Sequence, residues 1–239
     1  MSRIATWSVP ARWVLALALA ALCFGVLGGG FALLLDWRFV PLVVVLPVLI
    51  APLESLLLTP LYTLTGRFRY FSPMLFATRR RDGGLDLHAG TLFDYVMRLR
   101  WSDRGPCAAR IVTVELLRGL YALAGSAEAG LLPPSAKISA TSHFFGERTM
   151  RRFGFEVRQP GAGMVGNLLL AWMSIALRLS FTRGRLAFPD LRRVRQAVTT
   201  VDELAKHRDA IAHTLRRLVL DGEQRHLPEV DPGVVGEQK

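Results

Sequence analysis

Residues 13–64 constrain this chain more than any other stretch: two apolar segments joined by Asp36-Trp37-Arg38. The first, 13–35, runs for 23 residues without a charged side chain. At about 1.5 Å per residue, that length covers a hydrocarbon thickness of about 30 Å. The second, 39–64, is apolar except for Glu54 and carries Pro41, Pro47, Pro52 and Pro60. The pattern predicts a membrane protein with an N-terminal two-helix transmembrane hairpin (13–35 and 39–64) behind a short leader, 1–12. A cytoplasmic mixed α/β domain over 66–187, a long amphipathic helix over 189–220 and a disordered tail over 221–239 are expected to follow. The prolines make the second leg a kinked segment, and whether its second half is tether or part of the domain stays open.

Charge sets the expected orientation. All but Arg3, Arg12 and Arg38 of the 30 Lys and Arg follow Thr65, in a chain of net charge +11 and mean hydropathy +0.30. Basic residues flanking apolar spans are retained on the cytoplasmic side and attracted to anionic lipid. Both termini and the main domain are therefore expected on the cytoplasmic side of a bacterial-type inner membrane, with the bilayer and its anionic headgroups as partners. No nucleic-acid module accompanies the charge, so nucleic acid is not an expected partner. Cys23 and Cys107 provide neither a disulfide framework nor metal-ligand spacing. No metal and no cofactor are expected from the residues alone. Glu54 has two readings: an intramembrane functional group, or a carboxylate at headgroup level reaching Arg67 or water.

Beyond Thr65 the pattern is that of a folded domain. Residues 68–77 suit a strand or an interfacial segment, with Pro73 limiting any strand to an edge. Arg79–Gly84 reads as a turn. Leu85-Asp86-Leu87-His88 alternates as a strand does, and 92–99 is ambiguous between strand and short helix. Helical spacing covers 108–124. A strand is expected from Lys137, a short helix at Glu147–Arg152 and a strand over 153–157. The uncharged stretch 159–177 has a dense apolar part, 168–177, too short to span and suited to a buried or interfacial helix. After Asp190 as N-cap, Leu191, Val194, Val198, Val201, Leu204, Ile211, Leu215 and Leu218 mark one helical face, interrupted by Arg208. That stripe suits packing across the domain or self-association with a second helix.

The chain has no Walker loop, no GxGxxG, no HExxH and no nucleophile elbow. Its most site-like run is Thr141-Ser142-His143-Phe144-Phe145-Gly146-Glu147-Arg148-Thr149. This puts hydroxyls, an imidazole, a carboxylate and a guanidinium at a strand-to-helix junction, where free amides can meet an anion. The competing reading is local: Ser142 or Thr141 caps the helix, Glu147 completes the box and Arg148 pairs nearby.

Helix 108–124, the strand from Lys137, helix Glu147–Arg152 and the step Phe153-Gly154-Phe155-Glu156-Val157 resemble the C-terminal half of the GNAT acyltransferase superfamily. The resemblance covers about 50 residues, 108–157. The family's pyrophosphate loop has no counterpart here, and Arg104-Gly105-Pro106-Cys107-Ala108 stands in its region. The resemblance implies acyl-CoA as cofactor, His143 and Glu147 as proton-handling residues, and Arg104, Arg110, Ser142, Arg148 and Thr149 as ligand or phosphate contacts. Two functions are thus expected: an accessory or assembly subunit of a membrane complex or, alternatively, a membrane-tethered N-acyltransferase.

Overall fold

The computed structural model describes Gly29 and residues 52–142, 146–190, 192 and 194–226. A six-stranded mixed sheet of order β1-β2-β3-β4-β6-β5 organises them. Strands β1 (Phe68–Ser72), β2 (Leu75–Arg79) and β3 (Leu85–Ala89) form an antiparallel meander. Pro73 falls in the tight turn between β1 and β2, where its missing N–H interrupts no ladder. The β2–β3 turn closes through Arg80 N–H to the Gly84 carbonyl at 2.8 Å, with Gly83 at φ +80°.

A parallel partner for β3 requires a crossover. The chain supplies α2 (Leu92–Arg98), a single 3₁₀ turn (Trp101–Asp103) and α3 (Pro106–Glu128), then enters β4 (Lys137–Ser142) parallel to β3. Helix α4 (Glu147–Arg152) and β5 (Glu156–Arg158) follow, then the helical pair α5 (Ala162–Leu170) and α6 (Trp172–Arg183). Strand β6 (Arg195–Thr200) inserts antiparallel between β4 and β5. Helices α7 (Val201–Lys206) and α8 (Arg208–His226) end the described chain.

The expectation of a membrane protein is corrected. The described chain is an α/β domain, and no helix among the described residues is long and apolar enough to cross a membrane. Of the expected hairpin, the leg 13–35 (apart from Gly29) and the second leg up to residue 51 lie outside the described residues. Residues 52–57 are helical, and α1 (Thr59–Leu64) follows them. These belong to the domain: Leu57, Thr59 and Pro60 are buried, α1 packs on β1, and Leu92 N–H donates to Ser55 Oγ at 3.0 Å. Pro60 sits in the first turn of α1, where it starts a new helix and does not extend the one before.

The expected long helix over 189–220 is corrected as well. Its residues 195–200 are β6, a strand between two neighbours, and only then do α7 and α8 follow. Asp190 does not begin a long helix; its Oδ1 accepts from the N–H of Arg192, a 3₁₀ position ahead of β6. Arg195-Gln196-Ala197-Val198-Thr199-Thr200 is rich in β-branched residues, and pairing with β4 across six residues overrides a spacing that also fits a helix. Thr200 starts α7 by accepting from Glu203 N–H at 3.2 Å. Val194, Val201, Leu204 and Ile211 are buried in this chain's own core, so the stripe is covered from within. Arg208, the charge on that stripe, pairs with Glu128 and lies over the Tyr121 ring at 4.4 Å, tying α8 to α3.

The two sheet faces differ. Leu75, Ala77, Leu85, Leu87, Ile138 and Ala197 share one face and form a single core with Val112, Leu116, Leu117, Leu120 and Leu123 of α3. Helix α3 begins after Gly105 (φ +93°) with Pro106 in its first turn, two residues earlier than its apolar spacing predicts. It lies close against β2: a Cβ on Gly119 would stand 2.6 Å from Leu75 Cβ and 2.9 Å from Ser72 Oγ. Ser72 Oγ itself donates to the Glu115 carbonyl at 2.6 Å. Gly119→Ala is therefore expected to lower the urea midpoint. Overpacking costs about 1–3 kcal/mol, more than the ~1 kcal/mol gained in helix propensity. An unchanged or raised midpoint would show that α3 can shift off the sheet at no cost.

Candidate functional site

The opposite sheet face is polar at its centre. Registry puts Thr78 opposite Asp86, Asp86 beside Ser139, and Thr141 opposite Gln196, so these side chains and His88 share one face. The inserted helices α5 and α6 lie over that face and leave a cavity of about 510 Å³. Its lining includes Asp86, His88, Ser139, Thr141, Asn167, Arg178 and Gln196, with Leu168 and Ile175 as its apolar roof. Gln196 Nε2 donates to Ser139 Oγ at 3.1 Å.

The strands themselves open this cavity. β3 and β4 pair only through Leu85–Ile138, Asp86–Ser139 and Leu87–Ala140. Beyond that point β3 stays paired to β2 through Ala89, and β4 to β6 through Ser142. The two parallel strands therefore part, and His88 and Ala89 line the gap with Thr141.

Arg178 has titratable groups on two sides, His88 in the gap and Asp94 at the start of α2. His88 stacks on Phe76 with ring centroids 5.2 Å apart, and its Nε2 lies 3.2 Å from Thr78 Oγ1. The ring is walled by protein yet accessible to solvent through the cavity. The protein walls push its pKa down from the ordinary value, the Asp86 charge opposes that shift, and nearby Arg178 adds to it. Asp94 is buried at the start of α2, where it accepts from Thr91 N–H at 2.7 Å, Thr91 Oγ1 at 2.9 Å and Tyr70 Oη at 3.0 Å. Burial raises its pKa to about 6 despite those bonds and Arg178. The same burial, with Asp94 beside it, raises the Tyr70 pKa.

Arg178 of α6 reaches into the gap. Its Nη1 donates to the Gly90 carbonyl at 2.7 Å and its Nε to the Ser174 carbonyl at 3.2 Å. Enclosure lowers its pKa, while Tyr95 and Asp94 raise it. The arrangement can bind an acceptor oxygen at the guanidinium and take a proton at the His88 imidazole.

The residues expected from sequence fall elsewhere. His143 lies outside the described residues. Glu147 is exposed and pairs with Arg151 at 2.8 Å along α4, Arg148 is exposed, and Thr149 is half-buried in the same helix. Ser142 ends β4 opposite Arg195. Arg110 donates to the carbonyls of Leu218 and Val219 at 2.8 and 3.1 Å, a tie between α3 and α8. Arg104 is exposed with its guanidinium 5.5 Å from the Trp101 ring centroid. Glu54 is exposed and accepts from Tyr62 Oη at 3.3 Å. Of the described residues of the expected set, Arg104 shares the lining of a second cavity with Arg178, and none lines the cavity of His88. The one signal for His88 was the Leu-Asp-Leu-His alternation, which places it on the face of Asp86. Nothing in the sequence marked Arg178, because its role depends on α6 crossing the sheet.

Among the described residues, no group of three or more His, Cys, Asp or Glu is placed to hold a metal ion. Cys107 is free and exposed. Comparison of this chain with family models, curated proteins and solved structures finds no match.

Proposed function

We propose that this chain is an acyltransferase that moves an acyl group from a thioester such as acyl-CoA to an amine held in the cavity. The parting of β3 and β4 over that cavity carries the reading. It opens the sheet where an imidazole and a guanidinium line one cavity, and an elongated donor can enter between the strands. The resemblance of 108–157 to the GNAT superfamily points to the same chemistry.

Each group then has a role. His88 accepts the proton of the attacking amine, the N–C bond forms, the C–S bond breaks, and the leaving thiolate takes the proton from His88. Thr78 holds the ring in place. The start of α3 offers the donor's phosphates little backbone, since Gly105 N–H already donates to the Phe181 carbonyl at 2.9 Å and Pro106 has no N–H. Exposed Arg104 stands next to Gly105, and exposed Arg183 and Arg185 flank Gly184, whose backbone meets Gly105. These side chains supply the positive charge instead.

A thermal-shift panel of acyl-CoA thioesters tests the reading. A donor at 100 times its dissociation constant adds about 2.7 kcal/mol of stability, which raises Tm by roughly 5–10 °C for a domain of this size. His88→Gln is expected to keep that shift and lower kcat about 10²–10⁴-fold, the usual contribution of a general base. No shift with any acyl-CoA would sink the proposal.

A further inference from the structure

Arg178 is the one residue common to the linings of two cavities. The second is a slot of about 460 Å³ between α2 and α6, walled by Leu92, Val96, Leu99, Trp101, Leu177 and Phe181. Its mouth is formed by Trp101, 75% exposed, and Val96, 66% exposed, whereas Leu99 deeper in is 7% exposed. An apolar slot of this volume is the size of a small-ligand site.

Four polar side chains line it: Arg104 lies over Trp101 at the mouth, Ser180 Oγ is bonded to Ala187, and Tyr95 and Arg178 remain. Tyr95 is 5% exposed and lines the slot, and its hydroxyl has no hydrogen-bond partner among the described residues. Buried hydroxyls are ordinarily paired, because an unpaired one has lost its water and gained nothing. Beside it, Arg178 has committed Nε and Nη1 to carbonyls and has no carboxylate within ion-pair distance among the described residues. Asp94 acts on it only through space and is itself occupied by Thr91 and Tyr70. A donor hydroxyl and a cation at the inner end of an apolar slot match a chain whose head carries an acceptor oxygen.

We propose that the slot holds the hydrocarbon chain of an acyl group, with the acyl oxygen accepting hydrogen bonds from Tyr95 Oη and the Arg178 guanidinium. The inference deepens the transfer reading and rests on it for turnover. Arg178 also walls the cavity of His88, so an acyl carbon held at Arg178 faces an amine in that cavity. The negative charge that develops on the acyl oxygen during attack then lies against a fixed guanidinium.

Calorimetric titration of the full-length chain with decanoate, dodecanoate and the neutral thioester S-dodecanoyl-N-acetylcysteamine tests it. One saturable site is expected, tightening about fourfold per added methylene. Tyr95→Phe removes only the unpaired hydroxyl and is expected to weaken dodecanoate about fivefold. Val96→Glu, at an exposed position, is expected to abolish binding while leaving the fold intact. Binding of thioester and carboxylate alike assigns the slot to the acyl donor; binding of carboxylate alone assigns it to a free fatty acid. The proposal is overturned by no saturable binding, which includes the case where the chain's own apolar N-terminal stretch fills the slot. It is also overturned by affinity independent of chain length, or by both variants binding as the parent does. An acyl-CoA thermal shift without dodecanoate binding overturns this inference alone, and dodecanoate binding without any acyl-CoA effect overturns the transfer reading alone.

Discussion

Replacing Phe153 with alanine is expected to destabilise the domain by about 3–5 kcal/mol, the range for a fully buried phenylalanine truncated in a core. Phe153 is 0% exposed and heads the fully buried side chains by volume. It follows α4, and its N–H reaches the carbonyls of Thr149 and Met150 at 3.2 and 3.0 Å. The next residue, Gly154, turns at φ +78° and its carbonyl accepts from Thr199 Oγ1 of β6 at 2.7 Å. None of those bonds involves the ring, so the turn survives the substitution while the core gains a cavity. Domains of this kind are stable by only about 5–15 kcal/mol, so the loss is a large fraction of the total. Phe153→Leu refills part of the volume and is expected to cost less. Urea unfolding measures both; a shift below about 1 kcal/mol for the alanine variant would mean the ring sits in a yielding site.

Asp94 is expected to make stability fall as pH rises from about 4 to about 6. Its carboxyl titrates near 6 in the fold, against an ordinary value of 3.8. Below pH 4 it is protonated folded or unfolded and contributes no difference. Between the two values the folded state holds a proton that the unfolded state has lost, and above 6 the buried carboxylate carries its full desolvation cost. The contribution is on the order of 3 kcal/mol, at about 1.4 kcal/mol per pKa unit. Asp94→Asn removes this titration while keeping an oxygen for Thr91 N–H. Relative to the parent, the variant is expected to gain about 3 kcal/mol between pH 4 and pH 7 on top of any constant offset from the altered cap. Parallel stability curves across that window would show that Asp94 titrates normally.

How much of this was legible beforehand depended on the range of the interactions involved. Helix α3 was legible because Ile111, Val114, Leu117 and Tyr121, with Leu116 and Leu120, recur at helical spacing; its start at Pro106 was placed two residues late and its end at Glu128 four residues early. Lys137 as the start of β4 and Glu147–Arg152 as a helix were also read from local pattern. Leu85–Ala89 was legible from strict alternation, which put Asp86 and His88 on one face without saying what covered it. Residues 52–64 went the other way. Their apolar content looked like the end of a membrane span, yet Leu57, Thr59 and Pro60 bury against the domain and Ser55 bonds to Leu92. Apolarity alone does not distinguish lipid from a protein core, because each removes the same surface from water.

Residues 194–200 show the same division. Their apolar positions fit a helix as well as a strand, and the choice fell to β4, which pairs with β6 along its length. The candidate site lies wholly on that side of the line. His88, Asp94, Tyr95 and Arg178 come from a strand, a short helix and a distant insertion, separated in sequence by up to about 90 residues. The chain by itself determined its local periods, its basic balance and the polar face of β3, since these follow from neighbouring residues. Only the tertiary structure decided that β6 would split β4 from β5, that β3 and β4 would part, and that Arg178 would cross to the gap. Strand pairing and the burial of a charge are settled by partners far along the chain, and no local pattern encodes which partners those are.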